Sequence, residues 1–294
     1  MNLLITGAWQ QAQEHFGTIR EMGHEIAFLQ QERDPLPCDP AWVEGVICNG
    51  LFLHHPLAEF SNLRYIQLTS AGYDRVPMDE VKARGVEIHN ARGVYSVPMA
   101  EFALAGVLSL YKQLDTFRVQ QRAHRWEKQR DLRELAGQTV VIVGCGSVGT
   151  ECAKRFKAFD CRVLGVDIAV REDQHYDRIL PLAELDEALV QADIVVLTMP
   201  LTEATRHLID ARRLGMIHGV LVNIARGAVV DQKAREAWDG LAVLDVFEEE
   251  PLPEENLMWW KERFVLTPHN SFVGTRNNER LNALIIQNVE DANE

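Results

Sequence analysis

Three ionisable residues in the second half of the chain stand at or just beyond the ends of short apolar runs. Arg226 follows "LVNIA", Glu250 follows "LAVLDVF" and His269 follows "FVLTP". A guanidinium can clamp a carboxylate with two parallel hydrogen bonds. An imidazole is the side chain best suited to exchange a proton near neutral pH. A carboxylate bonded to that imidazole fixes its tautomer and favours its charged form. Between them the three could clamp a carboxylate and exchange one proton. Taken singly, each has a plainer reading: Arg226 as a surface ion pair, Glu250 as one acid of a run of three, His269 as a loop histidine.

A second chemical signal precedes them. "VVIVGCGSVGTECAKRF" joins an apolar run to a helical pattern through Gly144, Gly146 and Gly149. Alone, that spacing is weak, because tight turns also need glycine. Here it follows a buried strand, opens a helix and is followed about twenty residues on by Asp167, at the end of "RVLGVD". Gly144 permits the turn, Gly146 lets the backbone approach a pyrophosphate, and Gly149 lets helix and strand pack closely. The phosphates would meet the free N–H groups of the helix N-terminus, and Asp167 would bond the adenosine ribose. A methyltransferase with a similar loop is the competing reading of this segment alone. The Asp167 charge would repel a 2′-phosphate and favours NAD over NADP; Arg171, four residues later, reads as a solvated surface charge.

These residues need elements to position them. Short apolar runs alternate with amphipathic stretches throughout, the pattern of parallel sheets wrapped by helices. The first 95 residues offer "NLLITG", "EIAFLQ", "EGVICNG", "RYIQLTS" and "VEIHN" as strands. A helix predicted from Pro98 to Leu114 leads to a second series: "TVVIVG", "RVLGVD", "DIVVLTM", "GVLVNIA", "LAVLDVF" and "FVLTPH".

The 294 residues leave room for two domains, and 47% hydrophobic with 25% charged residues is ordinary for a globular enzyme. A net charge of −13 disfavours nucleic acid and anionic membranes but not a small anion in a locally basic site. No apolar run reaches the length of about 18 residues that a membrane span needs. The start, "MNLLITGAW", is strand-like, with no basic segment or cleavage site, so the expected location is cytoplasmic. Five cysteines without a C-x-x-C pair suggest reduced thiols, neither a disulfide framework nor a metal site.

From about Leu63 to Gly274 the chain resembles the D-isomer-specific 2-hydroxyacid dehydrogenase family. "ELAGQTVVIVGCGSVG" is similar to its cofactor loop, "LTMPLTEATRHLI" to the segment passing the cofactor, and "LVNIARGAVVD" to its arginine segment. "LAVLDVFEEEPL" resembles its glutamate segment, "LTPHNSFVG" its histidine segment, and "TSAGYDRVPMDEVKARGVEIHNARGVYSVPMAEFAL" its substrate loop and crossover helix. The resemblance implies a catalytic triad of Arg226, Glu250 and His269. It also implies that Asp245 bonds the nicotinamide amide, that Ser147 and Val148 touch the pyrophosphate, and that Pro200, Ile224 and Ala225 line the cofactor path. The backbone N–H groups of Ala71 and Gly72 would hold the substrate carboxylate. One departure is a segment between Arg226 and Asp245 that looks several residues short. The sequence runs only a little past "LNALIIQNVE", so no regulatory domain is expected.

The expected architecture is α/β, with two doubly wound parallel-sheet domains and a cleft between them. A flavodoxin-like substrate domain would comprise 1–95 plus 268–294, and a Rossmann NAD-binding domain 96–267. The expected activity is hydride transfer between NAD(H) and C2 of a small D-2-hydroxy acid or 2-oxo acid. Closure of the cleft would exclude water. The apolar helix "SVPMAEFALAGVLSLYK" and the resemblance both point to a homodimer. The rival from another class is a non-enzymatic NAD-sensing protein like the C-terminal-binding corepressors, which share fold and triad. Phosphite or formate oxidation is a third reading, and Glu250, where formate enzymes place an amide, argues against the latter. Leu51, Phe52 and Leu53 in "CNGLFLHH" would face the far end of the substrate and favour an uncharged side chain. If that loop instead packs inside its domain, Arg64 or Arg92 could reach the substrate.

Overall fold

The computed structural model describes residues 1–292. Residues 293 and 294, the last of the expected substrate domain, lie outside the described residues. The chain divides into two compact units, Met1–Tyr95 with the tail from Gly274, and Ser96–Val273. The return to the first unit therefore follows Val273, and His269 lies in the second unit.

In the first unit β1 (Asn2–Thr6), β2 (Glu25–Leu29), β3 (Gly45–Cys48), β4 (Tyr65–Leu68) and β5 (Glu87–His89) form one parallel sheet in the order β2-β1-β3-β4-β5. That is the flavodoxin-like order. Helices α1 (Phe16–Glu21) and α2 (Met78–Arg84) connect its strands. The C-terminal helix, Asn277–Asp291, buries Leu281, Ile285 and Val289 with Leu3, Ile5 and Trp9 of this unit.

The second unit opens with α3 (Ser96–Tyr111) and α4 (Leu114–Arg122). The single helix predicted through Leu114 is broken, because Gln113 takes a left-handed conformation at φ 52° that ends α3 and starts α4 on a new axis. Seven parallel strands follow: β6 (Thr139–Val143), β7 (Arg162–Asp167), β8 (Arg178–Pro181), β9 (Ile194–Leu197), β10 (Val220–Asn223), β11 (Leu241–Leu244) and β12 (Phe264–Leu266). Their order is β12-β11-β10-β9-β6-β7-β8, the Rossmann order with one strand added. Val140, Val141, Ile142, Ile194 and Val222 have no exposed surface, each contributing about 1.5–3 kcal/mol of apolar burial. Both faces of such a sheet are covered, so its strands read as continuous apolar runs. Beneath it α3 packs closely: a Cβ on Gly106 would stand 2.5 Å from Val243 Cγ1.

All five cysteines are free thiols; Cys48, Cys145, Cys152 and Cys161 are buried and Cys38 is partly exposed. Burial pushes every thiol upward, to about 12 for Cys145 and Cys152 and about 11 for Cys161. None carries the lowered value of a reactive thiolate. Among the described residues no helix is long and apolar enough to cross a membrane.

Candidate active site

The glycine loop leaves β6 and enters α5 (Ser147–Lys157). Gly144 has φ +94°, and a Cβ there would lie 2.6 Å from the Met199 amide nitrogen, so no other residue fits. Nothing lies within 4 Å of where a Cβ on Gly146 would stand. Gly146 is also the N-cap of α5 and no side chain caps it, which leaves the first-turn N–H groups available to an anion. Ser147 and Val148 open that turn, half-buried. Asp167 ends β7 beside the loop; its carboxylate accepts from the Cys145 amide at 2.6 Å and the Ala169 amide at 2.9 Å. A dinucleotide fits this cradle.

Arg171 is exposed, as expected, but its head is tethered. Its Nη2 donates to the Cys145 carbonyl at 2.5 Å and lies 3.7 Å from the Asp173 carboxylate. The Cys145 peptide is thus held from both sides, by Asp167 at its N–H and by Arg171 at its oxygen. Sequence spacing could not reveal this, because the contact depends on how the loop after β7 folds back.

Ile224, Ala225 and Arg226 follow β10. Ile224 and Ala225 are buried, whereas Pro200, beyond β9, is exposed and its carbonyl accepts from Thr205 Oγ1 at 2.7 Å. Asn223, fully buried, shapes this turn: its Nδ2 donates to the Arg226 carbonyl at 3.1 Å and its Oδ1 accepts from the Ala225 amide at 3.1 Å. One polar residue closing an all-apolar strand was the only sign of it in the sequence. Arg226 Nη1 donates to the Ala225 carbonyl at 2.8 Å. Next to it, a Cβ on Gly227 would stand 1.8 Å from the Phe247 carbonyl carbon, so the arginine turn lies directly on the glutamate segment.

The three consecutive acids differ in what they touch. Glu248 accepts from the Gln232 amide at 2.8 Å and lies 3.1 Å from His207 Nε2. Glu249 is exposed. Glu250 accepts from the Phe247 amide through Oε1 at 2.9 Å and lies 2.7 Å from His269 Nδ1 through Oε2. That pairing turns the other ring nitrogen, Nε2, away from the glutamate. His269 takes φ 50°, held there by its amide, which donates to the carbonyls of Asp245 at 2.8 Å and Thr267 at 3.1 Å. Phe272 meets the ring edge-on at 6.0 Å.

Asp245 is fully buried, and its carboxylate is taken up by the histidine segment. It accepts from Thr267 Oγ1 at 2.6 Å, the Asn270 amide at 2.8 Å and the Ser271 amide at 2.9 Å. Its carboxylate therefore fixes the turn on which His269 stands.

In the shortened segment, the short helix Gln232–Ala237 buries Arg235 completely. The guanidinium lies 5.4 Å above the Phe247 ring, and among the described residues Nε, Nη1 and Nη2 have no hydrogen-bond partner. Burial lowers its pKa to about 10, so the charged form is held there at a cost.

Ala71 and Gly72 belong to the first unit, in the loop after β4. The Ala71 carbonyl accepts from Asn90 Nδ2 at 2.6 Å and the Gly72 carbonyl from Ser70 Oγ at 3.1 Å. Among the described residues both are held by their carbonyls, not their amides. The apolar wall expected from Leu51 to Leu53 is not formed. Leu51 has no exposed surface and Phe52 packs on the core against Phe60, because the segment turns inward as a short 3₁₀ helix. Only Leu53 is exposed, at 62%. Arg64, one of the two alternatives, is paired with Glu44 at 3.5 Å.

The family model for the NAD binding domain of D-isomer specific 2-hydroxyacid dehydrogenases matches residues 104–271. The chain belongs to this family. It is 33% identical over 243 residues to a glyoxylate reductase of Thermofilum pendens, covering 78% of this chain and 71% of the relative. It is 34% identical over 247 residues to an (S)-sulfolactate dehydrogenase of Chromohalobacter salexigens, covering 80% and 79%. The crystal structure of a D-isomer specific 2-hydroxyacid dehydrogenase family protein from Aeromonas salmonicida superposes with a TM-score of 0.84 at 28% identity, over 99% of this chain and 94% of that one. This member of the family is an oxidoreductase with a nicotinamide-dinucleotide domain.

Proposed function

We propose that the protein reduces a small 2-oxo acid to the D-2-hydroxy acid, or runs the reverse, with Arg226, Glu250 and His269 as the catalytic residues. Small acids are also the named substrates of the glyoxylate and sulfolactate relatives. The observation that carries the reading is the Glu250–His269 pair at 2.7 Å on a turn fixed by Asp245. Bound NADH supplies the hydride that adds to C2. His269 gives the proton at Nε2 to the carbonyl oxygen as it becomes an alkoxide. Glu250, bonded at Nδ1, orients the imidazole and balances the charge it carries before that transfer. Arg226 binds the carboxylate and polarises the carbonyl; the family resemblance also assigns the amides of Ala71 and Gly72 to the substrate carboxylate. The net reaction consumes a 2-oxo acid, NADH and one proton, and releases the 2-hydroxy acid and NAD⁺. NADH oxidation with glyoxylate, pyruvate and hydroxypyruvate tests the reading. Tight NADH binding without turnover of any of them would favour the non-enzymatic sensor.

In this reading Gly144, Gly146, Ser147, Val148 and Gly149 carry the pyrophosphate, and Pro200, Ile224 and Ala225 line the nicotinamide path. Asp245 faces the nicotinamide amide with what remains of Oδ2. NAD is the cofactor in preference to NADP. Asp167 stands where a 2′-phosphate would come, and Arg171 is already engaged with the Cys145 carbonyl and lies beside Asp173. Catalytic efficiency is expected to be higher with NADH than with NADPH, and Asp167→Ala to narrow the gap by tenfold or more. A tenfold change in that ratio corresponds to about 1.4 kcal/mol of discrimination between the two cofactors. A wild-type preference for NADPH would contradict the assignment.

A cytoplasmic homodimer completes the proposal. Met99, Phe102, Leu104, Leu108 and Leu110 of α3 are only partly buried within their own unit, which supports a second copy packing on that helix. Sedimentation at micromolar concentration should give twice the mass of one 33.3 kDa chain; a monomer mass would refute it.

A further inference from the structure

The carboxyl ends of β3, β4 and β5 bring three loops to one edge of the small sheet, where parallel sheets of this kind take their ligands. Glu32, just beyond β2, ties that edge together. Its carboxylate accepts from Thr6 Oγ1 at 2.9 Å and from the amides of Asn49 and Gly50 at 2.7 Å each. Three donors on one carboxylate disperse its charge into the sheet edge. Arg75, in the loop after β4, comes near Gly50: its Cδ lies 3.6 Å from where a Cβ on Gly50 would stand, with Leu53 Cδ1 at 3.5 Å and Glu32 Oε2 at 3.4 Å from the same point.

Two arginines of this unit near the sheet are occupied. Arg64 pairs with Glu44, and Arg84 donates to the carbonyls of Leu57 and Phe60. Arg75 is exposed and makes no hydrogen bond or ion pair among the described residues. An exposed guanidinium with no partner within the protein is open to an anion from solution. It stands three positions beyond Gly72, on the loop that carries the Ala71 and Gly72 amides.

We propose that Arg75 selects 2-oxo acids bearing a second anionic group at the end remote from C1, with Leu53 covering the intervening methylene. This rests on the reading above that the Ala71 and Gly72 amides hold the substrate carboxylate. It replaces the expectation of an uncharged side chain, which depended on a Leu51–Leu53 wall and on the absence of a nearby cation.

Two matched pairs test it with NADH: oxaloacetate against 2-oxobutyrate, and phosphohydroxypyruvate against hydroxypyruvate. The charged member of at least one pair is expected to have the higher kcat/KM by tenfold or more, and which pair shows it tells carboxylate from phosphate. Arg75→Gln should cut that charged-to-neutral ratio at least tenfold, and Arg75→Lys should retain part of it. A wild-type preference for the neutral member of both pairs overturns the proposal while leaving the 2-oxo acid reading standing. So does an unchanged ratio in Arg75→Gln, or a fall seen in Arg92→Gln and not in Arg75→Gln. If none of the four acids nor glyoxylate is reduced, the reading itself fails and the proposal falls with it.

Discussion

His269→Ala is expected to lower kcat for 2-oxo acid reduction by about 10²–10⁴-fold, the usual contribution of a positioned general acid. Binding of NADH, followed by its fluorescence, should stay close to wild type, because the ring stands outside the glycine loop and the Asp167 strand. The backbone at 269 takes φ 50°, so alanine there is also strained, and a melting curve belongs beside the kinetics. Glu250→Gln is the sharper variant. Glu250 serves two N–H groups, one on each oxygen, from Phe247 and from His269 Nδ1. An amide has only one acceptor oxygen. The substituted side chain can therefore keep one of these bonds only by presenting its NH₂ to the other partner. Either the Phe247 amide faces a donor, or the imidazole loses the acceptor that fixes its tautomer. Activity should drop at least tenfold, with the melting temperature much less affected. A His269→Ala enzyme within tenfold of wild type would remove His269 from the mechanism.

Arg226→Ala is expected to cost about 10²–10³-fold in kcat/KM, comparable to losing an electrostatic donor aimed at a developing oxyanion. The loss should appear in both KM and kcat, since the proposed role has the guanidinium hold the carboxylate in the ground state and the carbonyl oxygen in the transition state. Arg226→Lys should recover little of it, because an ammonium cannot reproduce a two-pronged, planar contact. The turn itself is held by Asn223 and by the contact of Gly227 with Phe247, so either variant should fold. A lysine variant with near wild-type kcat/KM would mean that charge alone is needed at this position.

The central strands of both sheets could be read directly, since a strand covered on both faces must be apolar throughout. β8 could not: "RILP" offers one apolar pair before a proline and is a strand only because it pairs with the edge of β7. The break at Gln113 was equally hidden, because a left-handed residue inside an apolar pattern leaves no periodic trace. The residues at the strand ends (Arg226, Asp245, His269) announce themselves as polar groups ending apolar runs. Residues that act through a third partner do not. Whether Leu51 turns inward, whether Arg171 folds onto Cys145, and whether Arg75 comes near Gly50 depend on loops meeting across a sheet edge. Arg235 is the extreme case, a charge that any pattern rule would place at the surface.

The buried thiols have a use of a different kind. A thiol reacts with disulfide reagents as its thiolate, and burial keeps Cys48, Cys145, Cys152 and Cys161 protonated and out of reach. Each can be modified only when the structure around it opens. Cys48 lies in β3 of the small sheet and Cys152 in α5 of the large one. With Cys38 replaced by serine, the labelling rate of each remaining site becomes a clock for the opening of its own unit. The Cys38→Ser chain thus carries internal reporters of how independently its two halves breathe.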